Sequence, residues 1–146
     1  SVAYQPHLVI GQDLTTFSDI IDAVSPMLYP SHFFKDNMRM GHPYATMKEG
    51  CLMAKRQING RAVRLIPYIQ AFSMNMSYSG LTLKDYIIAQ LKAVEDAGAD
   101  GYFFWNAAND YRTTWAALDD FNEGKIPAKA VIPFPTTPND LLGNKQ

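Results

Sequence analysis

Cysteine is the first scarcity: Cys51 is alone in 146 residues, so no internal disulfide can form, stability rests on packing, and the redox compartment stays open. Its place on the apolar stripe of a predicted helix makes a core thiol the simplest reading. Positive charge is also short. Thirteen Lys and Arg stand against fourteen Asp and Glu, a net charge of −1, which leaves little to neutralise phosphates and speaks against nucleic acid and anionic membrane as partners. No apolar run approaches the roughly 20 residues of a membrane span, and the start of the chain does not read as a basic, apolar leader. Charged residues are only 18% and apolar ones 47%, the balance of one globular domain with a substantial core.

Several chemical signatures are missing too. His7, His32 and His42 have neither H-E-x-x-H nor C-x-x-C spacing around them, so no metal site is expected. Ser31 and His32 are neighbours in sequence, but no G-x-S-x-G elbow surrounds the serine, which disfavours a serine hydrolase. "VIGQD" at 9–13 reads as strand, glycine and helix start without G-x-G-x-x-G or a P-loop. An independent nucleotide-binding domain is therefore the weakest option, and no cofactor is expected. Asn75-Met76-Ser77 fits a glycosylation sequon, a pattern short enough to arise by chance.

What is present is alternation of strand and helix. Four apolar segments read as strands: Val2–Ile10, Ala23–Pro30, Val63–Phe72 and Gly101–Asn106. Between them lie amphipathic stripes at steps of three and four: Leu14, Phe17, Ile21 and Val24; Met47, Cys51, Ala54 and Ile58; Leu83, Ile87, Leu91 and Val94. Thr82 with Asp85 three residues on resembles a capping box, Gly98 supplies a left-handed stop, and Asn59-Gly60 ends the preceding helix. A fourth helix is predicted over 113–121. Residues 122–146 then carry four prolines and little periodicity, which predicts an extended or mobile tail. Such alternation implies α/β architecture with a mainly parallel sheet, either an open doubly wound sheet or part of a (β/α)8 barrel, which needs about 250 residues. Both place their sites at the carboxyl ends of the strands.

At those ends "YPSHF" offers Tyr29, Ser31 and His32, "YIQAF" offers Tyr68, Gln70 and Phe72, and "FFWNAANDY" offers Trp105, Asn106, Asn109 and Tyr111. Flat rings beside amides and hydroxyls suit sugars, whose CH faces stack on aromatics while their hydroxyls need paired donors and acceptors. The bland alternative makes Trp105 and Tyr68 core and the amides helix caps. Glycoside hydrolysis needs two carboxyl groups about 5 to 10 Å apart. Only Asp13, Asp36 and Asp110 fall in the presumed loops, and they read as a helix cap, a solvated charge and a turn former.

"SPMLYPSHF" at 25–33 followed by "HPY" at 42–44, with "GQDL" at 11–14, "PYIQAF" at 67–72 and "DGYFFWNAANDY" at 100–111, resembles a bacterial glycoside hydrolase domain family in motif and order. Members are predicted (β/α)8 barrels distantly similar to chitinase-type and amylase-type enzymes. The resemblance implies that residues 1–121 are the carboxyl-terminal half of a TIM barrel, strands five to eight, with 122–146 a proline-rich extension. The first four strands would lie upstream of Ser1, which opens almost directly in strand-like sequence without an initiator methionine. It further implies a glycosidase for the whole barrel and an inactive chain alone, because the family's fourth strand ends in an acid-bearing D-Y-x-R-F-P stretch with no counterpart here. Family members also read Trp-x-Gln-Asp-Phe where this chain has Tyr68, Gln70, Ala71 and Phe72. A methyl group cannot replace a catalytic carboxylate, so a non-catalytic carbohydrate-binding or scaffold barrel is the competing reading. On this resemblance the substrate-binding set is Tyr29, His32, Tyr68, Gln70, Trp105, Asn106, Asn109 and Tyr111. The partners are a carbohydrate and either the missing half barrel or a second copy, and the setting is extracytoplasmic.

Overall fold

The computed structural model describes residues 13–33 and 35–136. The predicted first strand, Val2–Ile10, with His7 and Gly11, and residues 137–146 of the tail lie outside the described residues. In chain order the elements are α1 (Leu14–Phe17), β1 (Ala23–Val24), a 3-10 turn (Pro30–His32), α2 (Asn37–Gly41), α3 (Pro43–Ile58), β2 (Arg64–Leu65), β3 (Tyr68–Gln70), a second 3-10 turn (Met76–Ser79), α4 (Leu83–Asp96), β4 (Phe103–Trp105), α5 (Arg112–Asn122) and a third 3-10 turn (Ala128–Ala130).

The strands are shorter than their apolar runs because proline interrupts them. β1 ends at Val24 and resumes only as a bridge from Met27 to Tyr68, since Pro26 has no N–H to offer a neighbour. Pro67 likewise splits the predicted Val63–Phe72 strand into β2 and β3. The ladder nevertheless runs through both breaks. Arg64, Ile66 and Tyr68 donate to Asp22, Val24 and Pro26 at 3.0, 2.9 and 3.0 Å, and Phe103 donates to the Pro67 carbonyl at 3.0 Å. Three parallel segments therefore lie side by side in chain order, 23–27, 64–70 and 103–105. The fold is mixed α/β with short parallel strands, and among the described residues no barrel closes.

The first stripe is overturned as a helix. Only Leu14–Phe17 is helical, and Val24 belongs to β1. Asp13 caps the start, but the Ser18 hydroxyl turns back to the Leu14 carbonyl, and the Asp19 carboxylate is drawn to Arg61 at 2.6 Å beyond the helix end. The other stripes form helices as their spacing predicts. α3 starts with Pro43 in its first turn, where a missing N–H costs nothing, and ends at Asn59 in the left-handed region. α4 begins with the Thr82 hydroxyl accepting from Asp85 N at 3.2 Å. It closes in a Schellman pattern, with Gly98 at φ +66° donating to Glu95 O and Ala99 donating to Val94 O.

α3 and α4 pack side by side on one face of the strands, and α5 packs against α4. Met47, Cys51 and Ile58 of α3 and Ile87, Ile88, Leu91 and Val94 of α4 meet Leu65 and Ile69 there. Each such side chain, fully buried, contributes about 1.5–3 kcal/mol. Gly50 lets α3 sit against the first strand: a Cβ there would come 3.0 Å from both Leu28 methyls. The described part of the proline-rich tail lies against the body, with Ala130 buried and Lys129 paired to Asp85 at 2.9 Å.

Candidate functional site

Direct partners in a parallel ladder point to the same side of the sheet, so register decides what the strands present. Leu65, Ile69 and Ala71 face the helices and are buried. Met27, Tyr68 and Phe103, linked by the bridge and by β3–β4 pairing, form a row on the opposite face, with Gln70 and Trp105 in the next row. That face is open. Met27 is 65% exposed, Phe103 47% and Trp105 50%, while Tyr68 is half-buried with its ring 5.2 Å from that of Phe103. Tyr68 and Trp105 are therefore not sealed in the core.

Tyr29 stands at the carboxyl end of the first strand, 3% exposed, packed edge-on against His32 at 4.9 Å and Phe72 at 5.4 Å. Burial pushes its phenol up to about 12, and the charges of Tyr68 and Tyr111 act in the same direction, so Tyr29 keeps its proton. His32 is exposed beside it.

Gln70 departs from the hydroxyl-binding role its sequence position implies. It is fully buried, and its amide is spent on the protein: Oε1 accepts from Ser31 N at 3.1 Å, and Nε2 donates to Phe72 O at 3.0 Å and Met74 O at 2.9 Å. The loops after the first and third strands fold over it, which is why Gln70 is buried although register places it beside an exposed Trp105. Asn106 is committed in the same way. Its Nδ2 donates to Ala71 O at 2.7 Å and Asp110 O at 3.0 Å, and its Oδ1 accepts from Ala108 N at 2.8 Å. Asn109, at φ +57°, is an exposed turn residue, and Tyr111 precedes α5 with its ring 6.5 Å from Trp115.

The acids are structural. Asp13 accepts from Thr15 N at 3.0 Å and caps α1. Asp36 accepts from Arg39 N at 3.0 Å and caps α2. Asp110 grips Arg112 at 2.6 and 2.9 Å, which holds its carboxyl down at about 2. Ala71, where the family pattern has an acid, is 1% exposed with its N–H donating to Trp105 O at 3.0 Å. Among the described residues no group of three or more His, Cys, Asp or Glu side chains is arranged to hold a metal. No helix of the described residues is long and apolar enough to cross a membrane.

The "HPY" motif serves packing: Pro43 opens α3, and the Tyr44 hydroxyl donates to Asp96 of α4 at 2.8 Å. Phe103, Met27 and Gln90 escape a reading by motif. Phe103 was legible in the alternation of "FFW", and Gln90 in being the one amide among the apolar residues of the α4 stripe.

No curated protein and no solved structure matches this chain. A family model does match, over residues 1–111 and so over strands β1 to β4, Trp105 included, and the loops that carry Tyr29 and Tyr111. The chain belongs to the family described as "Putative glycosyl hydrolase domain".

Proposed function

We propose that this chain supplies the sugar-facing surface of a glycoside-hydrolase-like (β/α)8 barrel without its general acid. The observation that carries the reading is the open sheet face, where Met27, Tyr68, Phe103 and Trp105 lie in register at the foot of the loops bearing Tyr29, His32 and Tyr111. Rings exposed in ordered rows stack on the CH faces of a sugar, and the half-buried Tyr68 phenol donates to its hydroxyls, with Tyr29 packed behind His32. Gln70 and Asn106 act behind them by holding loops. Family membership supports the substrate class.

The three parallel segments leave unpaired strand edges that further parallel units would extend, which supports the half-barrel reading. Sedimentation of the chain tests this part: self-association, or capture of a barrel half bearing the missing strands, is expected. A stable monomer that binds no apolar dye overturns it.

The catalytic question has its own test. Titration with cellohexaose, xylohexaose and chitohexaose, followed by Trp fluorescence and by product analysis, is expected to show binding with no hydrolysis by this chain. Trp105→Ala should weaken binding about tenfold, the loss of one stacking ring. Ala71 favours the second reading, a non-catalytic carbohydrate-binding barrel, since position 71 offers only a buried methyl. Hydrolysis by a completed barrel would decide for the enzyme. An unchanged spectrum with every oligosaccharide would remove both.

A further inference from the structure

We infer that Gln70 is a positioning residue, an internal brace that ties the Pro30–His32 turn to the chain following β3 and so sets how Tyr29 and His32 are presented. That the presentation serves a sugar rests on the reading above; the brace itself does not.

Both backbone groups of Ser31 are held by side chains from the end of β3 and the loop after it. Its N–H donates to Gln70 Oε1 at 3.1 Å, and its carbonyl accepts from Asn75 Nδ2 at 3.3 Å. Gln70 Nε2 meanwhile fixes the loop from which Asn75 projects, through Phe72 O and Met74 O, and Asn75 sits at φ +56°. Two segments 39 to 44 residues apart in sequence are thus joined by side chains where the β-ladder has ended.

The turn needs holding. Ser31 Oγ is the one deeply buried side-chain polar atom among the described residues without a hydrogen-bond partner. A buried hydroxyl without a partner adds no tie of its own, so the turn is held to its neighbour by the bonds from Gln70 and Asn75. Were the turn to relax, Tyr29 would lose its edge contacts with His32 and Phe72 together.

Amide hydrogen exchange on the full chain tests this. Gln70→Met keeps length and approximate volume but removes all three bonds. The amides of Ser31 and His32 should exchange at least about tenfold faster, while Leu91 and Val94 in α4 keep their wild-type rates, the pattern of a local opening. The ring-current shift of the His32 imidazole against Tyr29 should collapse in the same variant, which loss of packing volume alone would not cause. Asn75→Gly, which removes the tie to the Ser31 carbonyl and accepts the φ of +56° without strain, should give a smaller effect of the same kind, and it serves if Gln70→Met does not fold. Unchanged turn amides in a folded variant, or equal acceleration throughout α4, would overturn the brace. Cellohexaose binding is read in parallel: if the wild-type chain binds no oligosaccharide while the exchange pattern holds, the sugar reading fails and the brace stands.

Discussion

Gln90 holds the backbone of Gln70 at both ends of its peptide groups, accepting from the N–H at 2.9 Å and donating to the carbonyl at 3.0 Å. The first strand leaves the ladder after Met27, and the amide from α4 takes the place of the next strand residue. A helix side chain thus finishes the sheet.

Replacing Gln90 with Leu strands a buried N–H and a buried carbonyl at Gln70. Each unsatisfied group costs about 1–3 kcal/mol. Gln90→Leu should therefore lower the unfolding free energy by roughly 3 kcal/mol, read as an earlier urea midpoint. A midpoint within error of wild type would show that the clamp contributes nothing.

Alkali should unfold this protein sooner than its charged surface alone would. The Tyr29 phenol is pushed up to about 12 from an ordinary value of 10.0, and burial raises Tyr86 as well. Between pH 10 and 12 the unfolded chain gives up the Tyr29 proton and the folded one retains it. The stability from this group is complete below pH 10 and is lost as pH rises through 12. Urea midpoints across that range should fall, and Tyr29→Phe should flatten the decline without abolishing it, because Tyr86 remains. A decline as steep in Tyr29→Phe as in wild type would count against the assignment.

Cys51 is fully buried, and burial pushes its thiol up to about 12. The thiolate is the reactive form, so native protein should resist iodoacetamide at pH 8 and label fully in urea. Labelling in the native state at the rate of a free thiol would place Cys51 outside the core.

Ser31→Ala should raise the unfolding free energy by about 1 kcal/mol, since it deletes a buried hydroxyl that has no partner and leaves both braced backbone groups in place. Thermal denaturation checks the sign. A loss of stability would mean that the hydroxyl is satisfied in solution.

Local rules settled much of this in advance. Periodicity, a threonine cap and a glycine stop define α4 from Thr82 to Gly98, because each depends only on neighbours within a turn. Caps and turn formers likewise identified Asp13 and Asp110 as structural. The same local logic misjudged α1, where spacing fitted a helix but the chain left it at Ser18, whose hydroxyl turns back to the Leu14 carbonyl. Gln70 and Asn106 read as free amides because their partners lie as far as 39 residues away in the chain.

From the sequence alone came the α/β class, the limits of α4, the core thiol and the family, all of which follow from short-range pattern and residue type. The tertiary structure decided that prolines cut the strands, that register turns Met27, Phe103 and Trp105 outward together, and that two amides which looked available hold loops. Those outcomes depend on which strand lies beside which, and on the distant carbonyl or N–H that each buried polar group meets.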